Sequence, residues 1–162
     1  MIAITDYGMG NLGSVKKALD YLGAPCQITK DPQLIRQASH VILPGVGAFA
    51  DAMDELERRS LVGPLEEAVN QGKPLLGICL GMQMLFEGSD EGEPRRGLAL
   101  LPGRLEALTP RQGVKVPHMG WKFPVDKAEC NHKKFQKNSF GYRHSLSIPE
   151  MPAQFPLLTG KL

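Results

Sequence analysis

The chain has 162 residues, 42% of them hydrophobic and 22% charged, with a formal net charge of +2. That is enough for one domain with a real core, and the balance is that of a soluble globular protein. No apolar run reaches the roughly 20 residues of a membrane helix, and the start, MIAITDYGMG, has neither the basic nor the long apolar segment of a secretory signal.

Three widely spaced cysteines, Cys26, Cys79 and Cys130, make no disulfide framework and point to a reducing, cytosolic setting. The small net charge hides an asymmetry. Residues 1–110 hold 10 Lys/Arg against 14 Asp/Glu, whereas residues 111–162 hold 9 against 3. A basic tail can mark nucleic-acid binding, but this one has no nucleic-acid motif, so none is expected.

The first 110 residues alternate. MIAITDY predicts a buried strand and NLGSVKKALDYLG an amphipathic helix. Its Leu12, Val15, Ala18, Leu19 and Leu22 recur at helical spacing, with Gly23 as the stop. APCQIT is a second strand, which places Cys26 in the core. DPQLIRQA is a helix with Asp31 as N-cap and Pro32 at the first helical position. HVILPG is a third strand. GAFADAMDELERRSLVGPLEEAVNQG is helical, broken around Gly63-Pro64. KPLLGI is a fourth strand, and CLGMQMLFEGS starts a helix directly after it. GLALLPGRLEAL predicts short strands around a Pro102-Gly103 turn. This rhythm gives an α/β fold, a doubly wound, mostly parallel sheet. Ligands of such sheets sit beyond the carboxyl ends of the strands.

Gly77-Ile78-Cys79-Leu80-Gly81 matches the nucleophile elbow G-x-S-x-G with sulfur for oxygen. Glycines on both sides allow close packing at a strained turn. A helix starting there favours the thiolate, and the Leu80 amide would face the oxyanion of an acyl intermediate. The spacing alone leaves a second reading, a small buried cysteine in a tight turn. LPGVGAF follows the third strand at the same edge of the sheet, where its amides could supply a second oxyanion donor. Gly8-x-Gly10-x-x-Gly13 after the first strand is formally a dinucleotide fingerprint, with Asp31 as its acidic residue. Against it, Asp6 and Tyr7 intervene between strand and glycine, and Asp31 is engaged as a cap. Cys130 and His132 form a lone C-x-H pair, so no metal site is expected.

These segments resemble class I (triad) glutamine amidotransferases. DYGMGNLGSVKKAL, VILPGVGAF, GICLGMQMLFEGSDEG, GLALLPGRLEAL and KVPHMGW together resemble one family within them, the glutaminase subunits of imidazole glycerol phosphate synthase. The resemblance covers residues 1–121. It implies Cys79 as nucleophile, Val46, Gly47 and Leu80 at the oxyanion hole, and Gln83 and Gly45 at the glutamine site. It implies that Asn11 and Pro117, His118, Met119, Gly120 and Trp121 meet a β/α-barrel synthase subunit in a heterodimer. That partner would receive the ammonia and make imidazole glycerol phosphate for histidine biosynthesis. No cofactor and no metal would be needed.

The resemblance implies a histidine base and an acid from a His-Pro-Glu segment, and no His-Pro-Glu occurs in the 162 residues. His118 belongs to the interface motif, and His132 and His144 lack the acid. After Trp121 both the pattern and the charge change. The expectation is a glutamine amidotransferase domain over 1–121 and an irregular tail over 122–162. Lys-Phe is AAR-TTY, and loss of one purine restores the Asn that usually follows PHMGW, so a frameshift at codon 122 is the favoured origin. A genuine divergent tail and a truncated product are the alternatives. The fold would then be truncated after residue 121, with an exposed sheet edge, poor stability and no glutaminase activity. A partner-binding module without catalysis is the second functional reading, and a dinucleotide enzyme the third.

Overall fold

The computed structural model describes residues 1–107 in full, and residues 118–122, 140–144 and 146–147 by their backbone. It divides into two compact units, one holding residues 1–105 and the other residues 106–147.

The first unit is built on four parallel strands: β1 (Ile2–Thr5), β2 (Cys26–Thr29), β3 (His40–Gly45) and β4 (Leu75–Cys79), in the order β2-β1-β3-β4. Ile4 stands opposite Ile28 and Ile42, and Gly45 opposite Cys79. The crossovers are helical: α1 (Leu12–Tyr21), α2 (Pro32–Gln37), α3 (Phe49–Arg58) and α4 (Val62–Asn70). Ala3, Val41 and Leu43 share one face of the sheet, and they are buried together with Ile35, Phe49, Met53, Leu56 and Leu65 of the helices and their ends. Each such large side chain adds about 1.5–3 kcal/mol.

The expected strand–helix alternation is present, and its caps are as read. The Asp31 carboxylate accepts from the Gln33 amide at 2.8 Å, with Pro32 in the first turn. Three local readings are corrected. The long helix breaks at Ser60, which has a positive φ of 55°, and not at Gly63-Pro64. Pro64 instead lies in the first turn of α4, where a missing amide costs nothing. Cys26 is only half-buried, because β2 is an outer strand. The apolar stripe of α1 is not core: none of its residues is buried.

The helix after Cys79 is one turn, α5 (Leu80–Gln83). The carbonyls of Met84, Phe86 and Leu85 accept from Leu98, Ala99 and Leu101 at 2.8–3.0 Å. A longer helix would bond those carbonyls within itself. The same docking makes 97–103 a loop where strand was expected. Two short strands, β5 (Gly88–Ser89) and β6 (Arg95–Arg96), pair antiparallel, and β5 pairs parallel with Arg104 and Leu105 of β7 (Arg104–Ala107).

In the second unit β8 (His118–Lys122) pairs antiparallel with β9 (Phe140–His144), and Glu106 and Ala107 pair with β10 (Leu146–Ser147). Strands thus stand at 140–144 and 146–147, inside the segment expected to be irregular. Phe140 and Tyr142 alternate there at the period of a strand. No helix among the described residues is long and apolar enough to cross a membrane.

Candidate active site

Cys79 ends β4 and caps α5. Its φ of 55° and ψ of −116° lie where side chains rarely go. Such strain is expected of an elbow that lifts a nucleophile clear of the sheet. The sulfur-bearing residue is exposed at the carboxyl end of the sheet.

The flanking glycines are there for space. A Cβ on Gly81 would run into the Leu43 carbonyl of β3. One on Gly77 would meet the backbone of Met82, 2.6 Å from its nitrogen. The elbow therefore folds back onto the sheet at both glycines, as the G-x-C-x-G pattern requires. Gly45 works the same way from the neighbouring strand. A Cβ there would lie 2.6 Å from the Tyr7 hydroxyl, 2.8 Å from the Gly81 amide nitrogen and 2.9 Å from the Leu80 Cβ.

Gly45 is buried and opposite Cys79 in the ladder, so Val46 and Gly47 begin the loop at the cysteine's strand end. Val46 is exposed, and Gly47 has a φ of 104° that favours glycine. Leu80 is buried and follows Cys79 directly. Gln83, half-buried, closes α5 four residues on. The structure thus gathers Cys79, Leu80, Gly45, Val46 and Gly47 at one sheet edge, with Gln83 a turn further along. The single turn of α5 replaces the longer helix dipole that was expected.

Tyr7 is a residue the motifs did not single out. It lies just past β1, fully buried, and its hydroxyl has no hydrogen-bond partner among the described residues. Burial, and then the charge of the neighbouring Cys79, push its phenol above the usual range. An aromatic hydroxyl at the carboxyl end of the first strand was the available signal.

Asn11 is exposed and caps α1, its side chain accepting from Ser14 at 3.1 Å. Pro117 lies outside the described residues. His118, Met119, Gly120 and Trp121 form most of β8. The fingerprint glycines do not build a dinucleotide site. Gly13, which should pack closely, has nothing within 4 Å of its Cβ position, and Asp31 is spent on its cap. Among the described residues no group of three or more His, Cys, Asp or Glu could hold a metal ion. His40 begins β3, five residues from the end that faces Cys79, roughly 16 Å at strand rise.

The family model for glutamine amidotransferase class-I matches residues 3–159. A Moorella thermoacetica protein named imidazole glycerol phosphate synthase subunit HisH is 58% identical over 126 residues, covering 76% of this chain and 59% of that protein. A Bacillus cereus protein of the same name is 57% identical over 121 residues, covering 75% and 57%. The chain therefore spans less than two thirds of these relatives' length. A Lacticaseibacillus casei protein, also so named, is 54% identical over 160 residues, covering 98% of this chain and 76% of its own. A crystal structure of a glutamine amidotransferase aligns with a TM-score of 0.67 at 16% identity, over 94% of this chain and 76% of that one. That likeness concerns the fold alone.

Proposed function

We propose, for a chain that belongs to the class-I glutamine amidotransferase family, that it is the nucleophile-bearing part of a glutaminase subunit of imidazole glycerol phosphate synthase. The observation that carries this is the strained Cys79, lifted from the sheet beside the Gly45–Gly47 turn. The family description supplies glutamine as the substrate class, and the names of the relatives supply the synthase.

The chemistry follows from the elbow. The Cys79 sulfur adds to the side-chain carbonyl carbon of glutamine, and the Leu80 and Val46 amides hold the oxyanion. The amide nitrogen takes a proton and leaves as ammonia, giving a thioester. Water then releases glutamate and the thiol. The ammonia passes to a β/α-barrel synthase subunit in a heterodimer, reached through Asn11 and the segment Pro117–Trp121. There it combines with a phosphoribosyl-aminoimidazole-carboxamide nucleotide. No cofactor is required, and the setting is the cytosol.

Turnover also needs a base and an orienting acid. With no His-Pro-Glu in its sequence, and His40 at the wrong end of β3, the 162-residue chain does not turn glutamine over. The test is glutamate release from the full chain mixed with a barrel subunit of a relative. The expected rate equals that of Cys79→Ala. A rate well above it would overturn the inactivity while leaving the family intact.

The origin of residues 122–162 is a separate question. The break in pattern after Trp121 fits a shift of reading frame at codon 122. The match of the Lacticaseibacillus relative across 160 residues fits a genuine, diverged segment. Translation of the resequenced gene in all three frames separates the two. A second frame that reads Asn after Trp121 and continues to His-Pro-Glu supports the shift, and its absence overturns it.

A further inference from the structure

We propose that Tyr7 is a positioning residue for Cys79, its buried hydroxyl supplying a preorganised dipole to the sulfur anion at the elbow. The inference rests on the nucleophile reading above and adds a residue to it.

The argument is geometric. Tyr7 is completely buried, yet its hydroxyl hydrogen has no acceptor among the described residues. A buried, unmatched hydroxyl is costly, and a partner that forms during function is one reason to keep it. The hydroxyl lies 2.6 Å from the point where a side chain on Gly45 would begin. The Leu80 Cβ and Gly81 nitrogen are within 2.9 Å of that same point. Gly45 is the ladder partner of Cys79. The tyrosine therefore reaches the elbow from beneath, through the gap that glycine leaves. Cys79 is the group whose charge bears on the Tyr7 hydroxyl.

The neighbouring charges do not compete for the hydroxyl. Asp6 accepts from the Gly8 amide at 3.1 Å. Glu55 and Arg59 lie over Gly8 and pair with each other at 3.0 Å. Burial also keeps the phenol protonated, so the group remains a donor over the whole working range of pH. A donor fixed in advance stabilises an anion without reorganising when the charge forms.

The test is the pH profile of iodoacetamide alkylation, read at the Cys79 peptide by mass spectrometry so that Cys26 and Cys130 do not interfere. The 162-residue chain and its Tyr7→Phe variant are compared. The phenylalanine removes only an unmatched hydroxyl, so the thermal midpoint should hold or rise. The Cys79 profile should move to higher pH. Its rate at pH 7 should fall roughly threefold, because loss of thiolate outweighs the greater nucleophilicity of a more basic thiol. The high-pH plateau should not fall. An unchanged profile in a folded variant overturns the proposal. Should Tyr7→Phe fail to fold, 3,5-difluorotyrosine placed at position 7 serves instead. Its stronger donor should move the profile to lower pH, and no movement overturns the proposal. Alkylation needs no glutamine, so failure of the glutaminase reading would be seen separately, in the glutamate assay.

Discussion

Gly81 lies so close under the Leu43 carbonyl that a single methyl group on it would enter that oxygen. The contact ties the first turn of α5 to the backbone of β3, and so fixes the elbow that carries Cys79. Gly81→Ala should therefore cost roughly 1–3 kcal/mol, read as a lower denaturant midpoint at constant slope. Gly13→Ala is the control. Its Cβ position is open, in the first turn of α1, and the change should be neutral or stabilising by about 0.4–1 kcal/mol. Equal losses for the two would contradict the packing account.

Cys79 holds a positive φ without being glycine. Strain of this kind costs of order 1–3 kcal/mol and persists where function needs it. Cys79→Gly should raise the unfolding free energy by about 1 kcal/mol, while Cys79→Ala should not. A destabilised glycine variant would mean that the cysteine side chain contributes packing and that the elbow is not strained.

Asn11 has two assigned parts, one seen and one inferred. It caps α1 through Ser14, and it is proposed to meet the synthase partner. Asn11→Ala should cost about 1 kcal/mol of stability, whereas Asn11→Ser should keep most of the cap. If the interface assignment holds, both weaken association with the barrel subunit, measured by calorimetric titration. A serine variant with full stability and full association would leave Asn11 as a cap alone.

The acid side of stability should follow the arginine-paired carboxylates. Side-chain hydrogen bonds from Arg58 and then Arg59 hold the Glu55 carboxyl below its usual range, and the Arg36 bond does the same for Glu67. A carboxyl lowered in the folded state adds stability above its unfolded value, near 4.3. That contribution is lost as pH falls through the lower folded value. Melting temperature should thus drop below about pH 4.3, less steeply in Glu55→Gln with Glu67→Gln, and less steeply in high salt. Both glutamates are on the surface, so the effect is small. An identical acid slope in the double variant would contradict the assignment.

What the sequence conveyed was mainly backbone and motif. Period and capping located the strands and helices through residue 79, because Asp31-Pro32 and the apolar runs act locally. The elbow was legible only with the resemblance, because G-x-C-x-G alone also fits a small cysteine buried in a tight turn, and the exposure of Cys79 decides between the two. The break in the long helix was misplaced because proline draws the eye, although the first helical turn tolerates it. The short α5 was hidden because its limit is tertiary: the amides of Leu98, Ala99 and Leu101 take the carbonyls a longer helix would use. Tyr7 was missed for the same kind of reason, since only the fold brings β1 beneath the turn at Gly45. The exposure of Leu76 and Ile78 on β4 likewise has no local signal.

The central claim is that Cys79 is the nucleophile of a glutamine site. The most direct measurement is labelling with a chloroketone analogue of glutamine, followed by peptide mass spectrometry of the full chain. The account predicts a single adduct on Cys79, suppressed by excess glutamine and not by glutamate's shorter homologue, aspartate. Labelling spread over Cys26 and Cys130, or a Cys79 adduct that glutamine does not suppress, would contradict it.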